Sequence, residues 1–365
     1  MTTPPPGQWP PPPQGSPQGP PQWNPQPGPP PQGGNKAKWI LGGLALLVVV
    51  VVTVVATLLV TRGSSGSTTP TASAPPSTSV DTSDIASASD RGPISLITEE
   101  PTCQRWTTTS AGLAHAATNG WDKRDPSISE AQWSPEQRRQ YEAMAAAIRQ
   151  AADEAARLAR ETPHRVVRVL YEQFIAYGRS YVEHIPQYAP PDDQIVRVSN
   201  SVVATLNAIC DSIAFGSASA RAPLVPEAAA PRDLPSRIDP NSPERFLRSQ
   251  SPVCAEWLAS AEKFTNDTAA WRSVDPNIAA SALSPEQRAI NNAAMPIMEA
   301  FATESQRLGR KSDNPVWADI ATLSAQYRRA YVSALPTYAA ADNDLQVAAG
   351  SAVGAISEAC RAAEN

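Results

Sequence analysis

Histidine is scarce in this chain: it has three, His115, His164 and His184. His164 and His184 fall on one predicted helix, 20 residues and hence about 30 Å apart, so they cannot share a metal ion. None of the three has a histidine counterpart in the repeat described below. No HExxH and no paired CxxC occurs, and the sequence predicts no metal site. G-x-S-x-G, the P-loop and G-x-G-x-x-G are also missing, which argues against serine hydrolase, nucleotidase and dinucleotide-dependent chemistry. The reading is a protein that is not an enzyme and carries no cofactor. Alternating polar and apolar runs are absent. Glycine is sparse from Pro101 onward while alanine is abundant, a composition that suits helices and disfavours sheets.

Charge is missing from a further stretch. Trp39 to Val60, WILGGLALLVVVVVTVVATLLV, has no charged residue in 22 positions. As a helix it would reach about 33 Å, enough to cross a hydrocarbon core of about 30 Å. Lys36 and Lys38 precede it and Arg62 follows, whereas the next basic residue is Arg91. This bias favours a cytoplasmic N-terminus. The preceding tail is too long for a signal-peptide n-region, so the stretch reads as an uncleaved signal anchor contacting the lipid bilayer through residues 39–61.

Residues 1–38 are mostly Pro, Gly and Gln with Trp9 and Trp23 interleaved. They cannot bury a core and read as a disordered cytoplasmic tail. Either a cytoplasmic partner grips proline runs such as Pro10–Pro13, or the tail is a solvated spacer. Residues 62–98, rich in Ser, Thr and Pro, read as a stalk that as a flexible coil would span roughly 30–36 Å. The net charge is −5; residues 1–62 hold three positive charges and no acid, so the remainder carries −8. An acidic ectodomain argues against nucleic acid as a partner.

From Cys103 the chain repeats itself at an offset of about 150 residues. Cys103-x-x-Trp106 recurs as Cys254-x-x-Trp257. Trp121, Asp125 and Pro126 recur as Trp271, Asp275 and Pro276. Ser134-Pro-Glu-Gln-Arg138 recurs as Ser284-Pro-Glu-Gln-Arg288. Tyr177, Arg179, Tyr181 and Tyr188 recur as Tyr327, Arg329, Tyr331 and Tyr338, and Cys210 recurs as Cys360. This marks an internal duplication. Each copy parses into four helices. Met144, Ile148, Ala151, Ala155 and Leu158 form a helical stripe behind the capping box Ser134/Gln137. Val167, Leu170, Phe174, Tyr177 and Tyr181 form a third-helix stripe ending near Pro186. Ile195, Val198, Val202, Leu206, Ile209 and Ile213 form a fourth, opened by Asp192 and Asp193. The fold class is therefore all-α: two tandem disulfide-closed four-helix units after a single transmembrane helix and a disordered Pro-rich tail. Repeat one covers 99–215 and repeat two 248–365, joined by a linker over 216–247. Whether the repeats are separate bundles or share one core is open at this level.

All four cysteines lie beyond the apolar stretch, an arrangement that suits an oxidising compartment. In an up-down-up-down bundle the start of helix 1 and the end of helix 4 share an end. That geometry predicts the pairs Cys103–Cys210 and Cys254–Cys360.

The candidate contact surface is Tyr177, Arg179 and Tyr181, its twin Tyr327, Arg329 and Tyr331, and the loop tryptophans Trp121 and Trp271. Tyrosines four apart share one helix face and the arginine between them points elsewhere. The alternative reading is core tyrosines with an arginine tied to a neighbouring helix, and it is the favoured one because both tyrosines fall on the core stripe. Asp192/Asp193 and Asp342/Asp344 read as helix-opening carboxylates rather than an acid–base pair.

The tail MTTPPPGQWPPPPQG, the Val-rich span, the Ser/Thr/Pro stalk and the Ala/Arg-rich ectodomain together resemble the single-pass membrane proteins of mycobacteria and related actinobacteria with proline-rich cytoplasmic tails. The resemblance implies a place in the cell envelope and no chemistry, and no functional residues carry over from it. The reading is a membrane-anchored, extracytoplasmic, non-enzymatic helical protein acting on an envelope partner. The alternative is a helical module holding a lipid or peptide ligand and linked to envelope transport.

Overall fold

The computed structural model describes residues 85–236 and 239–364. The tail, the apolar stretch and most of the stalk lie outside the described residues. Among the described residues there are nine α-helices, with short 3-10 turns and no strand. They are α1 (Cys103–Ala117), α2 (Pro135–Glu161), α3 (Arg165–His184), α4 (Asp193–Ala214), the short α5 (Ser217–Arg221), α6 (Cys254–Asp267), α7 (Pro285–Lys311), α8 (Pro315–Ala334) and α9 (Asn343–Ala362). None of them is by itself long and apolar enough to cross a membrane.

Local chemistry sets the boundaries. Ser134 Oγ accepts from Gln137 N at 3.2 Å while Gln137 Oε1 accepts from Ser134 N at 2.9 Å, so two orphan donors at the start of α2 are satisfied reciprocally. Ser284 and Gln287 repeat the arrangement at α7. Asn314 caps α8, its Oδ1 accepting from Val316 and Trp317 at 3.1 Å each. The α2 stripe Met144, Ile148, Ala151, Ala155 and Leu158 is buried, as is its α7 counterpart Ala294, Met298, Phe301 and Leu308.

Cys103 at the start of α1 bonds to Cys210 near the end of α4, and Cys254 at the start of α6 bonds to Cys360 near the end of α9. Both pairs have Cα atoms 5.4 Å apart, within the range a relaxed bridge needs. Behind the first bridge Trp106 packs edge-on against Tyr171 and Phe174; behind the second Trp257 packs edge-on against Trp317.

The open question of one core or two is resolved by packing. A single hydrophobic cluster runs through both copies, and the broadest helix–helix contact joins α4 of one copy to α9 of the other. Small side chains allow the close approach. A Cβ placed on Gly354 of α9 would stand 3.1 Å from Ser201 Oγ of α4. One ion pair also crosses between copies, from Arg165 Nε on α3 to Asp319 Oδ2 on α8 at 2.8 Å, with both residues buried.

Two segments differ from their sequence reading. Residues 85–98, read as the end of a stalk, are part of the body: Ile85, Ile94, Leu96 and Ile97 are buried. Asp90 Oδ2 accepts from the backbone nitrogen of Arg165 at 2.7 Å, and Arg168 Nε donates to Ser87 Oγ at 3.0 Å. Four spaced apolar residues within a Ser/Thr-rich context account for the difference. The linker over 216–247 is also bound down. Arg221 pairs with Asp342 at 3.0 Å, Gln173 Oε1 accepts from Phe246 N at 2.9 Å, and Gln326 Nε2 donates to the Pro226 carbonyl at 3.0 Å.

Candidate functional site

The tyrosines of the candidate contact surface stand in the core. Tyr177, Tyr181, Tyr327 and Tyr331 are all buried. Tyr177 donates its hydroxyl to the Leu247 carbonyl at 3.2 Å and meets Phe246 edge-on. Burial pushes the Tyr177, Tyr181 and Tyr327 phenols well above the ordinary tyrosine range and the Tyr331 phenol up to about 12. The arginines point away, as the spacing requires. Arg179 pairs with Asp153 of α2 at 2.9 Å, and Arg329 pairs with Glu299 of α7 at 2.8 Å and donates to Gln306 at 3.1 Å. In both copies the motif fastens the third helix to the second.

His164, His184, Asp192, Asp193 and Asp342 have structural partners. His164 Nε2 donates to the Glu99 carbonyl at 2.9 Å and His184 Nδ1 to the Ser180 carbonyl at 2.7 Å. His115 is exposed on α1. Asp192 and Asp342 each accept from a backbone nitrogen three residues upstream, at 2.8 and 3.0 Å. Asp193 takes Arg124 and Arg197. Among the described residues no group of three His, Cys, Asp or Glu side chains could hold a metal ion.

The loop tryptophans lead to a more informative place. After the first helix of each copy the chain turns through Trp121 or Trp271, runs to the capping box and packs under the tyrosine that follows the third helix. The backbone frame is the same in both. Tyr188 Oη donates to the Pro126 carbonyl at 2.8 Å and Tyr338 Oη to the Pro276 carbonyl at 2.7 Å. Glu130 N donates to the Tyr188 carbonyl at 2.9 Å and Ala280 N to the Tyr338 carbonyl at 2.8 Å.

The contents of the two frames differ. In copy one Trp133 stacks on Tyr141 with centroids 3.8 Å apart, both rings lean on Tyr188, and the Trp133 indole donates to the Ile128 carbonyl at 3.0 Å. Arg124 lies 3.6 Å over the Trp121 ring and pairs with Asp193. The corresponding residues of copy two are Leu283 for Trp133, Asn291 for Tyr141, Val274 for Arg124, Asn343 for Asp193 and Gln346 for Val196. Trp133, Tyr141 and Arg124 are replaced by shorter side chains, Asn343 is isosteric with Asp193, and Gln346 is longer than Val196. What remains there is a cavity of about 220 Å³ between Trp271, Tyr331 and Tyr338. Asn291, 7 % exposed, and Gln346 both line it, and Asn291 Oδ1 and Gln346 Oε1 have no hydrogen-bond partner. Sequence reasoning placed Trp121 and Trp271 in the candidate contact surface but did not find the cavity. The signal was present as five breaks in the repeat, at 124/274, 133/283, 141/291, 193/343 and 196/346.

A second feature missed by sequence reasoning is Arg328. It is 2 % exposed, lies 4.5 Å over the Phe264 ring, and its Nε and Nη1 lack hydrogen-bond partners. Burial lowers its pKa to about 10. The equivalent residue in copy one is Gly178.

Comparison with known proteins places these features in a family. The chain is 45 % identical over 366 residues to an uncharacterized protein of Mycolicibacterium smegmatis (strain MKD8), covering 100 % of this chain and 97 % of the relative. No solved structure matches. The family model described as "Mycobacterial ESX-1 associated protein" matches residues 85–364, from the buried Ile85 through α9. The chain therefore belongs to the mycobacterial ESX-1 associated protein family.

Proposed function

We propose that this protein is a membrane-anchored, non-enzymatic adaptor of the cell envelope, linked to the ESX-1 secretion system. Its helical body stands outside the cytoplasm and engages a polypeptide partner. The observation that carries the reading is the match over residues 85–364 to a family described as ESX-1 associated. The uncharged stretch 39–61 supplies the bilayer contact, and the positively flanked tail stays in the cytoplasm, where its proline runs are open to a partner. Placing all four cysteines in disulfides supports an oxidising setting for the body.

The test is crosslinking of the full-length protein in its native membrane, with the reactive group placed on the helical body or on the tail. Capture of an ESX-1 component through the body is the expected result. Capture through the tail alone overturns the reading. So does cleavage of Trp9 and Trp23 peptides by protease added outside intact cells.

The alternative, a module that holds a ligand, is favoured by one observation, the copy-two cavity beneath Trp271.

A further inference from the structure

The two Trp corners are one frame in two states of filling, and the filled one describes what the empty one lacks. In copy one the space is taken by two aromatic rings borne on polypeptide, Trp133 and Tyr141, and the Trp133 indole N–H is accepted by the Ile128 carbonyl. In copy two the ring-bearing positions are Leu283 and Asn291, so the Ile278 carbonyl receives no indole donor from residue 283. Around the same cavity the orphaned polar atoms, Asn291 Oδ1 and Gln346 Oε1, are both acceptors. The walls are the Trp271, Tyr331 and Tyr338 rings, which favour an aromatic guest in edge or offset contact. Buried acceptors without donors cost free energy, and a guest that donates one hydrogen bond there recovers it. A ring of the required size with one N–H or O–H is an indole or a phenol.

We infer that the copy-two cavity is a socket for a single tryptophan or tyrosine side chain presented by a partner polypeptide. The polypeptide source rests on the adaptor reading above, and on copy one, where chain-borne rings occupy the same frame. The guest ring inserts between Trp271 and Tyr338, donates to Asn291 or Gln346, and occupies the volume that Trp133 and Tyr141 take in the other copy. Copy one is thereby a self-occupied version of the socket and copy two a receptive one.

The test uses the purified full-length chain in detergent micelles, with N-acetyl-tryptophanamide as probe, N-acetyl-leucinamide as control, and calorimetric or saturation-transfer detection. Saturable binding of the blocked tryptophan and not of the blocked leucine is expected. Leu283→Trp with Asn291→Tyr installs the copy-one filling and should abolish binding while circular dichroism stays helical. Gln346→Val, again the copy-one residue, removes one acceptor without adding bulk and should weaken binding about 3- to 10-fold. Asn291→Ala removes the other acceptor, and the two single variants together decide the matter should the filled variant fail to fold. No binding of the blocked tryptophan overturns the inference. So does equal binding of the leucine probe, or binding unchanged in both Gln346→Val and Asn291→Ala. Binding of free indole with rejection of the blocked tryptophan overturns the polypeptide guest. The adaptor reading fails separately: an empty crosslinking experiment with the blocked tryptophan bound removes the ESX-1 link and leaves the socket, and the reverse pattern removes the socket alone.

Discussion

The two copies keep the same frame and fill it differently. Retained in both are the disulfide between the first and fourth helices, the Ser/Gln capping box, the tyrosine hydroxyl on the proline carbonyl, and the arginine that fastens the third helix to the second. These are backbone closures and local caps, so they tolerate changes in the side chains between them. Copy one spends that freedom on aromatic packing at its corner and on a charged inner helix, α3, whose Arg165 and Arg168 bind the 85–98 segment. Copy two has a cavity at its corner, a guanidinium buried against Phe264, and a fourth helix lined with alanines, among them Ala348, Ala352 and Ala355. Duplication preserved what closes the unit and released what fills it.

The largest expected effect tests the shared closure. The bridges enclose loops of 107 and 106 residues, for which chain-entropy arguments give about 4–5 kcal/mol each. Cys254→Ala with Cys360→Ala should lower the urea midpoint at least as much as Cys103→Ala with Cys210→Ala, because the alanine-lined helix of copy two buries less apolar surface behind its bridge. A clearly larger loss from the first pair would break the comparison.

Next is the ion pair between copies. Arg165→Ala leaves Asp319 buried without its cation and should cost about 3–5 kcal/mol, read from denaturant unfolding. Arg165→Met with Asp319→Leu should recover most of that loss. A smaller effect separates the corners: Trp133→Leu, which gives copy one the copy-two residue, should cost about 2–3 kcal/mol through the lost ring stack. Leu283→Ala in the already hollow corner should cost less. Equal costs would mean that the copy-one filling does not hold its corner together.

The elements that could be read from sequence were those specified locally. The capping boxes at Ser134 and Ser284 and the stripe through Met144 and Ile148 depend on residues within a few turns, and the repeat made each of them visible twice. Tyr177 and Tyr181 lie on a core stripe, which made burial the favoured reading over a contact surface. Features that depend on distant pairing stayed hidden. The α4–α9 contact uses small side chains such as Gly354 and Ser201, and their pattern does not distinguish a helix's own bundle from the neighbouring one. The buried segment from Ile85 to Ile97 was masked by the Ser/Thr-rich composition around it. The socket required subtracting one copy from the other and also knowing that positions 133 and 141 meet in space.

The smallest expected effect concerns pH and again sets one copy against the other. Asp344 in α9 stands where copy one has Gln194. Burial, reinforced by the nearby Asp211 carboxylate, raises Asp344 from an ordinary 3.8 to about 6. A carboxyl group raised in the folded state holds its proton more tightly there than in the unfolded chain. Between those two values folding takes up a proton, so this group's contribution to stability falls as pH rises from about 4 to about 6 and stays low above that. Asp211, Glu172 and Asp319, also raised by burial, act in the same direction, whereas Asp125, Glu256 and Glu304, lowered by hydrogen bonds, act in the opposite one. The total pH profile is therefore a sum of opposing contributions, and only the difference between wild type and Asp344→Gln isolates the site. That variant, carrying the copy-one residue, should match wild type near pH 4 and gain denaturant midpoint over it by pH 7. Gln194→Asp in copy one serves as the reciprocal probe. Parallel midpoint curves for wild type and Asp344→Gln across this window would show that the fourth helices of the two copies do not differ in their response to pH at this position.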